Sequence, residues 1–598
     1  MSATPSFDKK ALLAKYIVER NKRLRPDGNA QYLELKGRLA HYLDDPYTPL
    51  TKRAPKTDHV TFAFVGGGFA GLCAGARLAE HGVMDVRIVE KGGDFGGAWY
   101  WNRYPGAQCD TASMIYMPLL EETGHMPTEK YAHAPEILQH CQRIGRQYGL
   151  YENALFHTEV ESLSWAEAGS RWVIETNRGD RFTASFIGLG TGPLHVPKLP
   201  GIPGIESFRG HSFHTSRWDY AYTGGDPGGA PLKNLADKRV AIIGTGATSV
   251  QVVPHLARAC GELYVVQRTP SSVDVRDNKS IDPEWFASIA TPGWQQRWLE
   301  NFTANQAGGA AEQDLVQDGW TDLSRRIRAK IMQLPAEDRV PLKMLAAYEN
   351  SDFEKMEAIR ARAEAVVKDR ETADKLKAWY RQLCKRPCFH DQYLQAFNTP
   401  GTYLIDTDGK GVERITENGF VVAGVEHEVD CIIYASGFEV GTEYKRRAGF
   451  DLTGRDGLKL SRAWSEGMQS KHGMHVRGFP NAFFVQPAQG ANLISNVPHN
   501  LTDSARTIAT IISHALAIRA HEVEVTQEAQ DAWVEKLLTN PGGMLGAPDC
   551  TPGYYNNEGQ EPGPAARLNV GYPGGAAAYF SYIDAWRTSG SFDGLTFR

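Results

Sequence analysis

Two short apolar runs, each closed at once by glycines, set the plan of this chain. Val60-Thr-Phe-Ala-Phe-Val65 and Arg239-Val-Ala-Ile-Ile243 have too few polar positions to leave one face in water, so they read as buried strands. Val86-Arg-Ile-Val-Glu90 and Leu263-Tyr-Val-Val-Gln-Arg268 follow them after intervening helical stretches, giving a strand–helix–strand unit twice. Upstream, Leu12, Leu13, Tyr16 and Ile17 recur at helical spacing; a second helix is predicted over 30–43, then an extended linker from Asp45 to Lys56. The two apolar stripes of this arm predict that it packs on the body, with no chemical role. Residues 127–150 pattern as helix, 157–190 as short strands, and Pro193 to Pro203 as a proline-rich crossing. Between 283 and 380 the α/β rhythm breaks. Trp285, Trp294, Trp298 and Trp320 are scattered through charged helical sequence, with an almost unbroken helix over 353–380 and its charges on a solvated face. Val429 to Gly437 is a strand entering a glycine turn. The chain divides into a helical extension (1–58), the first part of one domain (59–204), a second domain with the helical insertion (205–398), and the remainder of the first domain with a C-terminal segment (399–598).

The glycines carry the first chemistry. Gly66-Gly-Gly68-Phe69-Ala70-Gly71 lies between a strand and a helix, the context in which G-x-G-x-x-G binds a dinucleotide. Gly66 allows the tight turn, Gly68 lets backbone N–H groups approach a pyrophosphate, and Gly71 lets the helix sit close to the strand with its positive end toward the phosphates. Glu90, 19 residues after Gly71, is placed to accept from ribose hydroxyls. The second turn, Gly244-Thr245-Gly246-Ala247-Thr248-Ser249, replaces the third glycine with a small serine. Its following strand ends in Arg268-Thr269 with no acid. Arg268, 24 residues after Gly244, stands where an acid would bind a free ribose hydroxyl, and a guanidinium there pairs with a 2′-phosphate instead. The second nucleotide is therefore expected to be NADPH. The fold class is α/β, with two Rossmann-like dinucleotide-binding domains and a helical insertion in the second.

Composition narrows the partners. A formal net charge of -5 over 598 residues gives no footprint for nucleic acid or an anionic membrane. The N-terminus lacks the apolar run of a signal peptide, and no stretch of about 18 apolar residues occurs, so no spanning helix is expected. Eight cysteines in so long a chain read as reduced thiols of a cytoplasmic protein. Cys384 and Cys388 are spaced like a metal pair, but nothing completes a site, and no metal is expected.

Between the two units stands Phe208-Arg-Gly210-His-Ser-Phe-His214-Thr-Ser-Arg-Trp218-Asp219. Its pattern, F-x-G-x-x-x-H-x-x-x-W-D, resembles position for position the fingerprint of the Baeyer–Villiger monooxygenases. A second stretch, met by Gly96, Gly97, Trp99, Tyr104, Pro105, Gly106 and Asp110, resembles the family's other signature; Gln108 departs from it where many relatives carry arginine. Lys385-Arg386-Pro387 resembles the family's active-site segment. Tyr434-Ala-Ser436-Gly437-Phe438 is similar to its A-T-G-F element, and Gly478 to Phe484 with Ser495-Asn-Val497 to the segment returning to the flavin. Tyr554 or Tyr555 stands where many relatives have a tryptophan over the nucleotide. The resemblance runs from about residue 60 to the C-terminus.

That resemblance implies an enzyme with FAD and NADPH that uses O2 to insert one oxygen atom beside a ketone carbonyl, through a flavin peroxide, giving an ester or lactone. It implies FAD contacts from Gly66, Gly68, Phe69, Ala70, Gly71, Glu90, Gly97, Trp99, Asp110, Tyr116, Val160 and Val497. NADP contacts are implied from Gly244, Thr245, Gly246, Ala247, Thr248, Ser249, Arg268, Thr269 and Lys385. Arg386 would stabilise the anionic oxygen species, a task suited to an always-charged, rigidly forked cation, and Asp110 would orient it. His214 is expected to serve the interdomain hinge rather than proton transfer. The long N-terminal arm resembles a subgroup acting on bulky cyclic or polycyclic ketones, the cyclopentadecanone-type enzymes. A flavin monooxygenase of amine or sulfide heteroatoms stays open as an alternative, as does a flavin-binding sensor without turnover.

Overall fold

The computed structural model describes residues 7–306, 311, 313–440, 442–486, 488–492, 496–540, 549–561, 563 and 567–598. His59–Val65 lies inside the first sheet, parallel to Val86–Val89 on one side and Arg181–Leu189 on the other. Arg181–Leu189 continues through an antiparallel meander with Arg171–Thr176 and Val160–Ala166; Leu452–Thr453 forms the edge and Ala482–Phe484 pairs back onto Arg181–Leu189. The helix Phe69–Glu80 packs between this sheet and the long helix Val497–Ala517. It lies so close to the strand that a Cβ on Gly71 would stand 2.2 Å from the Gly66 carbonyl oxygen.

The second sheet has five parallel strands in the order Thr402–Asp406, Glu262–Gln267, Arg239–Ile243, Cys431–Tyr434, His211–His214. The division drawn at 398/399 therefore falls inside this sheet, and the return to the first domain comes only after Gly437. Parallel neighbours are far apart in sequence, so periodicity within one strand cannot say which sheet it joins. The last strand, His211–His214, comes from the stretch that carries the F-x-G-x-x-x-H-x-x-x-W-D pattern.

Among the described residues, the insertion folds as five α-helices, Pro283–Ile289, Trp294–Gln306, Gly319–Met332, Pro341–Val366 and Arg370–Lys375. The helix expected over 353–380 starts earlier and stops at Val366, where Asp369 caps a new helix through the Thr372 N–H. Its charges are not all solvated. Lys355 is buried between Asp274 and Asp322, and Arg360 donates to the Ala378 carbonyl at 2.8 Å. Trp294 and Trp298 enter the core of the first domain, so the insertion bridges the two units.

The described part of the N-terminal arm is held down on the body. Helix Lys9–Asn21, capped by Asp8, buries Tyr16 against Phe353. The second helix expected over 30–43 is instead two 3-10 turns, Gly28–Gln31 and Gly37–Leu43, flanking Tyr32–Leu33, which pairs antiparallel with Leu199–Pro200. Gly37 adopts a left-handed φ of +58°, which breaks a continuous α-helix there. The expectation of eight free thiols is also corrected: Cys384 and Cys550 form a disulfide across 166 residues, which removes Cys384 from any metal pair. Among the described residues, no helix is long and apolar enough to cross a membrane.

Candidate active site

Both glycine turns open into one cavity of about 3780 Å³ between the sheets. Gly66, Gly68, Phe69, Ala70, Glu90, Gly97, Trp99, Asp110, Tyr116, Val160 and Val497 line it from the first domain. Gly244, Thr245, Gly246, Ala247, Thr248, Arg268, Thr269, Lys385 and Arg386 line it from the second. Gly71 and Ser249 do not line it; both are buried behind their turns.

The first turn is shaped for a close ligand. Gly66 has φ +114°, and a side chain there would meet the Gly190 carbonyl oxygen at 2.4 Å. Glu90 accepts from the Gly67 and Gly92 N–H groups, each at 2.6 Å, so it also ties the turn to the end of its strand. Burial pushes its carboxyl above the usual range, against those two donors. Each oxygen keeps a lone pair for a ribose hydroxyl. Trp99 donates to Tyr116 Oη at 3.1 Å, and Tyr116 packs on Phe69, making an aromatic wall beside the turn. Ser495 lies outside the described residues.

The second turn repeats the geometry. Gly244 also has φ +114°, with the Ala435 carbonyl oxygen 2.4 Å from any added Cβ, while a Cβ on Gly246 would meet nothing within 4 Å among the described residues. That open space above a helix N-terminus fits a pyrophosphate. Thr245 Oγ1 donates to the Thr269 carbonyl at 2.7 Å, fixing the turn to the strand end that carries Arg268. Lys385 forms no hydrogen bond or salt bridge among the described residues. Burial, reinforced by Arg268, pulls its pKa down to about 8. Two neighbouring cations, one without a counter-ion, fit the 2′-phosphate of NADPH and would be a liability for NADH.

Across the cavity, Arg386 forks onto Asp110, with Nη1–Oδ2 at 2.7 Å and Nη2–Oδ1 at 2.6 Å. Burial would lower the guanidinium's pKa, but the Asp110 carboxylate overrides it and holds the charge well above the ordinary arginine value. Trp320, from the insertion, donates to the Asp110 carbonyl at 2.8 Å and lies under the Arg386 guanidinium at 5.4 Å. The fork is thus set by both domains and the insertion together. Tyr554 and Tyr555 both line the cavity and contact each other edge-on.

None of Phe208, Gly210, His214, Trp218 and Asp219 lines the cavity. His214 is fully buried: Nδ1 accepts from the Ser216 N–H at 3.2 Å, and Nε2–H donates to the Gly437 carbonyl at 3.1 Å. Burial, with Arg217 nearby, pulls its pKa to about 3, so the ring is neutral. It clamps the edge strand of the second sheet to the Ser436-Gly437 turn. Trp218 donates to Thr223 Oγ1 at 3.1 Å, and Asp219 caps Tyr220–Thr223. A Cβ on Gly210 would stand 2.4 Å from the Phe208 ring and 2.7 Å from the Asp430 carbonyl oxygen.

The arm, expected to have no chemical role, reaches the site: Gln31 Oε1 accepts from Arg268 Nη1 at 2.7 Å and Tyr32 lines the cavity. Trp320, Lys198 and Glu558 were likewise not expected there. No spacing rule reaches such residues, because each comes from a segment with no regular relation to the turns. Gln108, the departure from the second signature, accepts from Arg276, so a guanidinium does stand beside it.

The profile of an NAD(P)-binding Rossmann-like domain matches residues 65–126. Over 99% of both chains, the sequence is 48% identical to neopentalenolactone D synthase of Streptomyces avermitilis. It is 46% identical to a Baeyer–Villiger monooxygenase of Streptomyces coelicolor, over 96% of this chain and 95% of that one. Among solved structures, the polycyclic ketone monooxygenase of Thermothelomyces thermophila superposes with a TM-score of 0.91 at 36% identity, covering 98% of this chain and 99% of the other.

Proposed function

The chain belongs to the Baeyer–Villiger monooxygenases, FAD- and NADPH-dependent oxidoreductases that turn ketones into esters or lactones, and from that premise we propose how its residues divide the work and which ketones it takes. When bound, FAD and NADPH supply hydride transfer and the activation of oxygen. Gly66, Gly68 and Gly97 leave room for the FAD pyrophosphate, Glu90 holds its ribose, and the wall of Phe69, Trp99 and Tyr116 confines it. Thr245, Gly246, Ala247 and Thr248 cradle the second pyrophosphate, and Arg268 with Lys385 takes the 2′-phosphate. Arg386 presents a permanent positive charge where negative oxygen develops, and Asp110 fixes the direction of that charge. His214 transfers no proton; it clamps the junction between the second sheet and the crossing to the first.

The observation that carries this reading is the Arg386–Asp110 fork, facing one cavity that both glycine turns enter. The substrate is a bulky cyclic or polycyclic ketone. The anchored N-terminal arm supports this, as do the relatives named for a lactone product and for polycyclic ketones. Product analysis of the FAD-loaded protein with NADPH, oxygen and a ketone panel is the test. The expected product is a lactone bearing one added oxygen, formed with NADPH and poorly with NADH. Turnover of small acyclic ketones alone would overturn the substrate assignment, and oxidation of amines or sulfides alone would overturn the reaction.

A further inference from the structure

The cations assigned to the 2′-phosphate already have an anion beside them. Glu558, in the turn Tyr554–Gly559, is only 4% exposed. Its Oε1 accepts from Tyr32 Oη at 3.1 Å and lies 3.7 Å from Lys198 Nζ, which itself sits 3.6 Å from the centre of the Tyr32 ring. Its Oε2 lies 3.5 Å from Arg268 Nη2 and has no hydrogen-bond partner among the described residues. The same carboxylate acts electrostatically on Lys385. A buried carboxylate oxygen that faces Arg268 across 3.5 Å and accepts no hydrogen bond among the described residues is a loosely held counter-ion.

The surroundings show what holds it there. Asn29 donates to Asn557 Oδ1 at 2.6 Å and Gln560 donates to the Arg25 carbonyl at 2.7 Å, so the arm and the C-terminal turn meet over the cluster. Asn557, Glu558 and Gly559 have φ of +51°, +56° and +75°. Two consecutive non-glycine residues in left-handed backbone are held by contacts and carry a cost that release would recover.

We propose that Glu558 is a resident counter-ion that the 2′-phosphate of NADPH displaces from Arg268, so that the turn Tyr554–Gly559 sets the affinity for NADPH and its preference over NADH. The inference rests on NADPH being the hydride donor. A phosphate dianion and a carboxylate cannot share this cation without repelling each other, so the phosphate enters as the carboxylate leaves. Arg268 exchanges one anion for another. NADH brings no phosphate and cannot drive the exchange, which adds to the discrimination made by Arg268 itself.

The test uses the FAD-loaded full chain and two unreactive probes, 2′,5′-ADP, which carries the 2′-phosphate, and 5′-ADP, which lacks it. In calorimetric titrations, Glu558→Gln keeps the shape and removes the competing charge. It is expected to bind 2′,5′-ADP about 3- to 5-fold tighter, the size of one charge pair with an exposed partner, with 5′-ADP changed less than about twofold. Equal or weaker binding of 2′,5′-ADP would make Glu558 a positioning residue for Arg268 and overturn the proposal. Hydrogen exchange of the unsubstituted protein reads the displacement without any variant: saturating 2′,5′-ADP should leave 554–559 less protected than saturating 5′-ADP does, and equal or greater protection counts against it. A wild-type protein that prefers 2′,5′-ADP no more than 5′-ADP would defeat the NADPH assignment, and this proposal with it.

Discussion

Replacing Asp110 by asparagine isolates what the orientation of Arg386 is worth. The carboxylate is 5% exposed and holds the guanidinium through two contacts of 2.7 and 2.6 Å. Removing one member of a fully buried ion pair costs about 3–5 kcal/mol, and an asparagine oxygen returns one hydrogen bond from the charged guanidinium worth about 1.5 kcal/mol. The Arg386 side chain keeps 34% of its surface in solvent, which selects the lower part of that range. About 1.5–2.5 kcal/mol remains, or roughly 10- to 70-fold in the rate of an oxygenation step that depends on the held position. The assay follows lactone formed, NADPH consumed and hydrogen peroxide released in parallel, with stopped-flow reduction of the flavin as the control. Lactone formation is expected to fall by that factor while NADPH oxidation continues and peroxide rises in its place. Arg386→Ala should go further and abolish ester or lactone without stopping flavin reduction. Undiminished lactone per NADPH in Asp110→Asn, or a matching fall in flavin reduction, would refute the division of labour.

Arg268→Ala removes a charge-assisted contact worth about 1.5–3 kcal/mol, so KM for NADPH should rise roughly 10- to 150-fold while KM for NADH stays nearly constant; equal effects on both would deny the 2′-phosphate contact. Lys385, with its pKa pulled down from 10.5 to about 8, attracts phosphate as the ammonium and loses that attraction as the amine. Affinity for NADPH should therefore decline as pH rises through about 8, with that for NADH flat, and Lys385→Arg should remove the decline; a pH-independent wild type would contradict it. Cys384→Ser with Cys550→Ser opens a cross-link closing 166 residues. Such links stabilise by about 2–4 kcal/mol, so thermal unfolding should shift down measurably, and a reductant should shift only the unsubstituted protein.

The sequence by itself determined the parts whose chemistry is local. A strand, a glycine turn and a helix are consecutive in the chain, so Gly66 to Gly71 and Gly244 to Ser249 could be recognised with their phosphate-binding geometry, and Arg268 stood at a fixed offset from its turn. The resemblance of Lys385-Arg386 and of the stretch ending in Asp110 to family motifs added the pair that the fold brings into a fork. Only the tertiary structure decided how distant segments meet. It placed Thr402–Asp406 and Cys431–Tyr434 in the second sheet, because parallel pairing depends on strands remote in sequence. It joined Cys384 to Cys550, which spacing cannot match, and slid Trp320 from the insertion against Asp110 and Arg386. It also brought Gln31, Tyr32, Lys198 and Glu558 from three separate segments around Arg268. Long-range charge pairs of this kind leave no period or spacing behind. They exist because the low dielectric between packed segments rewards opposite charges that folding happens to bring within reach.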